Sequence, residues 1–245
     1  MAPAGYGNRV EGLHPVAAAA AAGRVRRLLV EERRRDRSEI ASIVEVVGPD
    51  RVRIVPDLRA MAETEAPQGV IAECEPIMPA NLDDLAGPDA ALIVLDHVED
   101  PHNVGAIARS ALAAGVTGMV VSSRRAAPLS PTAFKSAAGA LETLSVAMVG
   151  SIPEALSRLK GRGVWILGLQ AGAGHSLFGL ALLTEPVAVV VGAEGSGLSS
   201  LVEKRCDVLA SIPMASEAES LNASVAAALA CFEVMRVRSD ASGSP

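Results

Sequence analysis

Five continuous apolar runs constrain this chain more than any other feature: ALIVLD (91–96), GMVVSS (118–123), VWILGL (164–169), PVAVVVG (186–192) and DVLASI (207–212). A strand with one wet face alternates apolar and polar residues, whereas a strand covered on both faces reads as an unbroken apolar run. Helical patterns or loops follow each run. The predicted fold class is therefore α/β, a parallel sheet with helices on both faces. Half of the residues are hydrophobic and only 2% are aromatic. That balance suits close helix-on-sheet packing and argues against an aromatic platform for stacked bases.

A second, smaller α/β unit is predicted ahead of these runs. It reads as a helix over 8–22, strand VRRLLV, a helix over 36–47, strand RVRIV, a short helix over 57–62 and strand GVIAEC. Residues 77–90, rich in Pro, Gly and acids, read as a linker. A long helix is expected from Leu221 to Arg238, and the tail 239–245 is expected to be disordered.

The net charge is −6, but it is unevenly spread. Residues 1–60 hold 11 of the 22 Lys and Arg against 8 of the 28 Asp and Glu, a net +3, which leaves −9 for the remainder. Arg24, Arg26, Arg27, Arg33, Arg34, Arg35 and Arg37 carry the excess. Such a run is either a solvated face or an electrostatic footprint for nucleic acid. Cys74, Cys206 and Cys231 are scattered and form no C-x-x-C pair, and the His residues lack H-E-x-x-H spacing. Neither a disulfide framework nor a metal site is expected, and a reducing cytoplasm is the simplest setting. With no secretory signal pattern and no apolar run of spanning length, a membrane association is not expected either.

In open parallel sheets ligands sit beyond the carboxyl ends of the strands, and three such ends carry unusual residues. After ALIVLD comes EDPHNVGAIARSA, where Asn103 could cap a helix starting at Val104 or belong to a site. Arg109 could be a surface charge or a functional group. VVVGAEGSGLSS has a strand, a Gly-rich turn and then a helix, but its spacing is G-x-x-G-x-G and no Lys-Ser/Thr follows. Glu194 in that turn would repel a phosphate, and suits a cationic or hydroxyl-bearing ligand or the positive end of a helix. In SIPMASEAESLNASV, Ser220 is a plausible cap and Asn222 an odd residue for a first helical turn.

Taken together, D-P-x-N-x-G-x-x-x-R at 100–109, G-A-E-G-x-G at 192–197 and I-P-M…S-L-N at 212–222 resemble the three motifs of the SpoU/TrmH family of RNA ribose 2′-O-methyltransferases, in the SPOUT superfamily. SPTAFKSAAGALE (130–142) is similar to that family's segment after the second strand. GYGNRVEGLHPV and PQGVIAE resemble the L30e-like domain that precedes the catalytic domain in bacterial 23S rRNA guanosine 2′-O-methyltransferases. The resemblance implies an L30e-like RNA-binding domain over 1–76, a SPOUT methyltransferase domain over 91–238 with a C-terminal trefoil knot, and a homodimer with each active site completed across the interface. It implies S-adenosylmethionine held by Gly192, Ile212, Met214, Ser220 and Leu221. It also implies a transfer site of Asn103, Arg109, Glu194 and Asn222, with RNA, by this resemblance 23S rRNA, as substrate. One departure is Ser216, which stands where the third motif usually has Gly.

The resemblance places Arg109 where the family's base is often assigned, yet a guanidinium stays protonated. Arg109 is expected instead to bind a neighbouring phosphate and stabilise the developing alkoxide, while a phosphate or water takes the proton. Rival readings are a tRNA or antibiotic-resistance rRNA methyltransferase, a non-catalytic RNA-binding assembly factor of the same fold, and a nucleotide-dependent α/β enzyme.

Overall fold

Two sheets organise the chain in the computed structural model, which describes residues 5–123, 129–215 and 221–242. The first sheet contains β1 (Arg9–Glu11), β2 (Val25–Glu31), β3 (Val52–Val55) and β4 (Val70–Cys74), in the order β1-β4-β2-β3. β2 and β3 are parallel, and β4 runs antiparallel to both β1 and β2. Helices α1 (Leu13–Ala21) and α2 (Ser38–Val47) pack together beside it.

Two expectations for this part are corrected. The helix expected from residue 8 starts at Leu13, because Arg9–Glu11 is extended and paired with β4, and Gly12 at φ 98° breaks the chain between them. The short helix expected over 57–62 is an irregular loop. Non-local bonds hold that loop. The buried Glu11 carboxylate accepts from the Glu63 and Thr64 N–H groups at 2.9 Å each and from the Thr64 hydroxyl at 2.8 Å. A buried acceptor of this strength outweighs weak local helix preference.

The second sheet has seven parallel strands in the order β7-β6-β5-β10-β8-β11-β9. They are β5 (Ala91–Leu95), β6 (Gly118–Ser122), β7 (Val146–Val149), β8 (Trp165–Leu169), β9 (His175–Ser176), β10 (Val187–Val191) and β11 (Val208–Ser211). All five apolar runs are strands, as the sequence predicts. Their alternate residues serve two cores. Ile93, Leu95, Val189 and Val191 join the core with α3 (Pro101–Ala113) and α7 (Ala223–Ser242), while Leu92, Val94, Ala188 and Val190 join the core with α5 (Ile152–Lys160). This two-sided burial is why the runs do not alternate in sequence.

α4 (Pro131–Ala137) joins the two sheets. On one side it meets α3, where a Cβ on Gly105 would lie 2.3 Å from the Ala133 carbonyl oxygen. On the other side its Phe134 fills the space above Gly7 and meets Tyr6, with ring centroids 6.2 Å apart. Lys135 donates to the Ala66 carbonyl at 2.6 Å. Nearby, Arg24 of the front part forms a bidentate, largely buried pair with Glu142, with Nε 2.7 Å from Oε2. The stretch expected as a linker is also fixed: Ala80 N–H bonds the Val146 carbonyl at 2.8 Å and Leu82 is buried.

α7 runs back beneath the sheet to its amino ends. There the Arg238 guanidinium donates to the carbonyls of Leu183, Asp89, Ala90 and Glu185 at 2.7–3.0 Å. The helix continues to Ser242, into the stretch expected as a disordered tail, and an Arg236–Asp240 pair at 2.7 Å one turn apart supports that extension. No helix among the described residues is long and apolar enough to cross a membrane.

Candidate functional site

β5 and β10 lie side by side at the middle of the sheet, and the chain leaves them in opposite directions along it. The crevice beyond their carboxyl ends is thus a topological switch point, where α/β sheets place ligands. The segment carrying Asn103 follows β5, and the glycine turn carrying Glu194 follows β10.

Helix α3 begins earlier than the sequence suggested. Pro101 takes its first position and Asp100 caps it, accepting from His102 N–H at 2.9 Å. Asn103 is therefore no cap. It lies in the first turn, buried, and its amide is free to act elsewhere. Its Nδ2 donates to Glu194 Oε1 at 2.9 Å.

Asn222 holds the position expected of Ser220. α7 starts at Ala223, and Asn222 Oδ1 accepts from Ser224 N–H at 2.9 Å and from the Ser224 hydroxyl at 2.5 Å. Its Nδ2 donates to Asn103 Oδ1 at 3.1 Å and to Glu194 Oε1. Glu194 Oε1 thus receives two amides, beside the first turn of α3 and the capping residue of α7, where helix dipoles favour negative charge. Glu194 Oε2 makes no hydrogen bond among the described residues.

The glycine turn holds this carboxylate by backbone geometry. Ala193 and Gly197 exchange both N–H···O bonds, at 3.0 and 3.1 Å, with Gly195 and Gly197 at φ 80° and 66°. A Cβ on Gly192 would meet the Gly197 carbonyl carbon at 2.2 Å. Left-handed φ and this close approach require glycine at these positions.

Asp96 is a residue that the sequence reading passed over. It is buried directly after β5, and its carboxylate is split between Ser199 N–H at 2.7 Å and His97 Nδ1 at 2.7 Å. It fixes the far end of the glycine turn to the β5 segment. An acid immediately after five buried apolar residues was the available signal.

Two cavities meet at Glu194. One, of about 290 Å3, is lined by Gly192, Ile212, Met214 and Leu221, together with Leu169 and Val191. The other, of about 760 Å3, runs along His97, Asp100, Asn103 and Ser199, and shares the wall of Ala193, Glu194 and Gly197 with the first. Four of the five residues expected to hold the cofactor therefore line one cleft. The fifth, Ser220, and also Ser216, lie outside the described residues.

Arg109 is not brought to the trio. It is exposed on α3, borders neither cavity, and makes no hydrogen bond or ion pair among the described residues.

The thiols supply no nucleophile. Burial pushes Cys206 up to about 11 and Cys74 and Cys231 up to about 12. Among the described residues no group of three or more His, Cys, Asp or Glu is placed to hold a metal ion.

A parallel α/β sheet with clefts and a carboxyl–amide trio at its switch point places the chain among the α/β proteins that bind ligands beyond the carboxyl ends of their strands. Residues 90–232 match the SpoU rRNA Methylase family model, and residues 9–80 match the model for RNA 2′-O ribose methyltransferase substrate binding. The chain belongs to the SpoU rRNA methylase family. It is 41% identical over 220 residues to the 23S rRNA (guanosine-2′-O-)-methyltransferase RlmB of Ralstonia nicotianae, covering 85% of this chain and 86% of that protein. An uncharacterized tRNA/rRNA methyltransferase of Synechocystis sp. is 45% identical over 177 residues, 70% of this chain but only 46% of the relative's length. Among solved structures, the SpoU methyltransferase AviRb from Streptomyces viridochromogenes, in complex with AdoMet, superposes with a TM-score of 0.80 at 31% identity, over 94% of this chain and 89% of that one.

Proposed function

We propose that the protein transfers a methyl group from S-adenosylmethionine to a ribose 2′-hydroxyl of RNA, a guanosine of 23S rRNA. The observation that carries this is the Asn103–Glu194–Asn222 cluster at the wall between the two cavities, one for the methyl donor and one for the target nucleotide. The family matches and the names of the relatives support the substrate class.

The first cleft fits S-adenosylmethionine chemically. Leu169, Val191, Ile212, Met214 and Leu221 give an apolar wall for a purine and a thioether chain, and the glycines expose backbone for polar edges. Glu194 is the one charged residue among its described lining, which complements a sulfonium cation and disfavours a phosphate. When bound, the donor supplies an electrophilic methyl. Ile212, Met214, Leu221 and Gly192 would hold it, in the part of the chain that the family ties into a trefoil knot.

The protein's own residues do the positioning. Asn103 and Asn222 each donate an amide N–H to the Glu194 carboxylate and are bonded to one another, so it is held in place when the ribose arrives. Holding the hydroxyl in line with the methyl is a large share of such a displacement.

Arg109 enters this scheme from a second subunit. It shares the exposed surface of α3 with Leu112, and α7, packed along α3, exposes Val225, Leu229, Phe232 and Met235 at helical spacing. An apolar stripe of this kind is relieved by a second copy of the chain. Arg109 at its border then reaches the partner's nucleotide groove, binds a phosphate and stabilises the alkoxide. The front part, matched by the substrate-binding model, supplies further phosphate contacts from the exposed arginines of its segment, Arg26, Arg27, Arg33, Arg35 and Arg37, which exchange neighbouring carboxylates for phosphates, whereas Arg24 is largely buried on Glu142.

The test is mass-spectrometric mapping of ribose methylation on rRNA and tRNA in cells lacking the protein, with calorimetric titration of S-adenosylmethionine into the purified chain. A missing 2′-O-methyl in 23S rRNA and donor binding are expected. A missing methyl in tRNA alone would overturn the substrate assignment, and no donor binding would overturn the activity.

A further inference from the structure

The transfer needs a group to take the hydroxyl proton, and the residues so far named do not supply one. Arg109 keeps its proton. Glu194 Oε1 is already engaged by two amides, which hold the carboxylate as a fixed acceptor. Asp96 is buried and bonded at both oxygens, and Asp100 is used in capping α3.

His97 remains. It lines the nucleotide groove together with Asn103 and Glu194. Its Nδ1 lies 2.7 Å from the buried Asp96 carboxylate, its side chain is half exposed, and Nε2 makes no hydrogen bond among the described residues. A carboxylate acceptor at Nδ1 fixes the tautomer with the proton there, leaving the Nε2 lone pair for the groove. The backbone is also unusual, with His97 in the left-handed region at φ 59°. A β-substituted residue held there is strained, and such strain gathers at functional sites.

We propose that His97 is the proton acceptor of the reaction, oriented by Asp96. This rests on the methyltransferase reading above. As the 2′-oxygen bonds to the methyl carbon, the methyl–sulfur bond breaks with its electron pair on sulfur, and the hydroxyl proton passes to His97 Nε2. The resulting imidazolium is paired with the Asp96 carboxylate, and the imidazole is regenerated when the proton is lost to water, with Asp96 ionised throughout. Asp96 is bonded to the ring, and the titratable groups that line the groove with His97 are Glu99 and Asp100 on its own segment and Glu194 on the glycine turn. His102 is turned aside to Ser136 Oγ at 3.1 Å.

The experiment is single-turnover methylation of ribosomal RNA against pH by the full chain, comparing wild type, His97→Gly and His97→Asn. Both residues tolerate a left-handed backbone, so either variant should fold. The expected result is a loss of about 10²–10³-fold near neutrality, disappearance of the acid limb, and partial recovery of His97→Gly by added imidazole. Calorimetric affinity for the methyl donor should be unchanged. In the ligand-free protein, nitrogen NMR should show His97 as the Nδ1–H tautomer, and that preference should weaken in Asp96→Asn. Wild-type rate and pH profile in His97→Gly would overturn the proposal. A wild-type protein that methylates no RNA ribose would instead overturn the reading on which it rests.

Discussion

Asn222 caps its own helix with one end of its amide and bonds Asn103 with the other, Nδ2 lying 3.1 Å from Asn103 Oδ1. One side chain thus sets where α7 begins and how the proposed transfer site is wired. The two roles separate by substitution. Asn222→Asp keeps the capping oxygen but replaces the amide donor with a second carboxylate beside Glu194. It should leave the melting temperature nearly unchanged while cutting single-turnover methylation by about 10²-fold or more. Asn222→Ala should add a loss of about 1 kcal/mol in stability from the missing cap. Equal stability of the two variants in urea melts would show that the cap is not felt.

The glycine turn predicts a steric result. Gly192→Ala puts a methyl within 2.3 Å of both the carbonyl carbon and the oxygen of Gly197, so the turn must open. Methyl-donor affinity should fall by about tenfold or more and stability by about 1–3 kcal/mol. Gly195→Ala meets no neighbour within 4 Å and is strained only by its φ of 80°, so calorimetry should show a smaller loss there.

Acid sensitivity should arise in the front part. Burial pushes the Glu11 carboxyl up, but hydrogen bonds from Glu63, Thr64 and Arg9 outweigh it and hold the pKa below the ordinary 4.5. A depressed folded-state pKa contributes stability that is complete above 4.5 and is lost as pH falls through the lower folded value. Glu11→Gln should therefore destabilise by about 1–3 kcal/mol near neutrality, and its deficit against wild type should shrink between about pH 5 and pH 3. Denaturant melts across that range check the sign.

Arg109 predicts complementation between subunits. Arg109→Ala and Asn103→Ala should each be inactive as pure proteins. In a remixed population, a mixed dimer carries one site with both residues intact, so activity should return to about a quarter of wild type. No recovery in a sample shown to contain mixed dimers would mean that both residues act within one subunit. Phe232→Asp, in the exposed stripe of α7, should lower the mass seen by light scattering and activity together.

The large sheet was legible because both faces of its central strands are covered, which leaves the apolar runs unbroken. β7 and β9 were not legible. VAMV is short, and His175–Ser176 is a strand only through its pairing with β11. β1 was hidden for the same reason, since RVE carries no strand signal beyond what β4 imposes. In the site, Asn103, Glu194 and Asn222 could be chosen from their places at strand ends, but their wiring could not. Pro101 and Asp100 start α3 upstream of Asn103 and remove the need for it to cap, and Asn222 takes over the capping expected of Ser220. Both shifts depend on differences of two or three residues in helix start, Val104 to Pro101 and Leu221 to Ala223, which periodicity does not resolve.

The seat of Phe134 bears on how this protein can be cut or fused. Its ring is wholly buried, and part of that cover is Gly7 and Tyr6 from the first strand's approach. A chain started near residue 80 would bare that ring and leave Glu142 without Arg24. It would expose an adhesive surface on the helix packed directly against α3, which carries Asn103. The RNA-binding part is thus not a detachable accessory. Exchanging it for another module would require redesigning the outward side of α4, and a failed truncation would report on that uncovered seam before it reported on RNA.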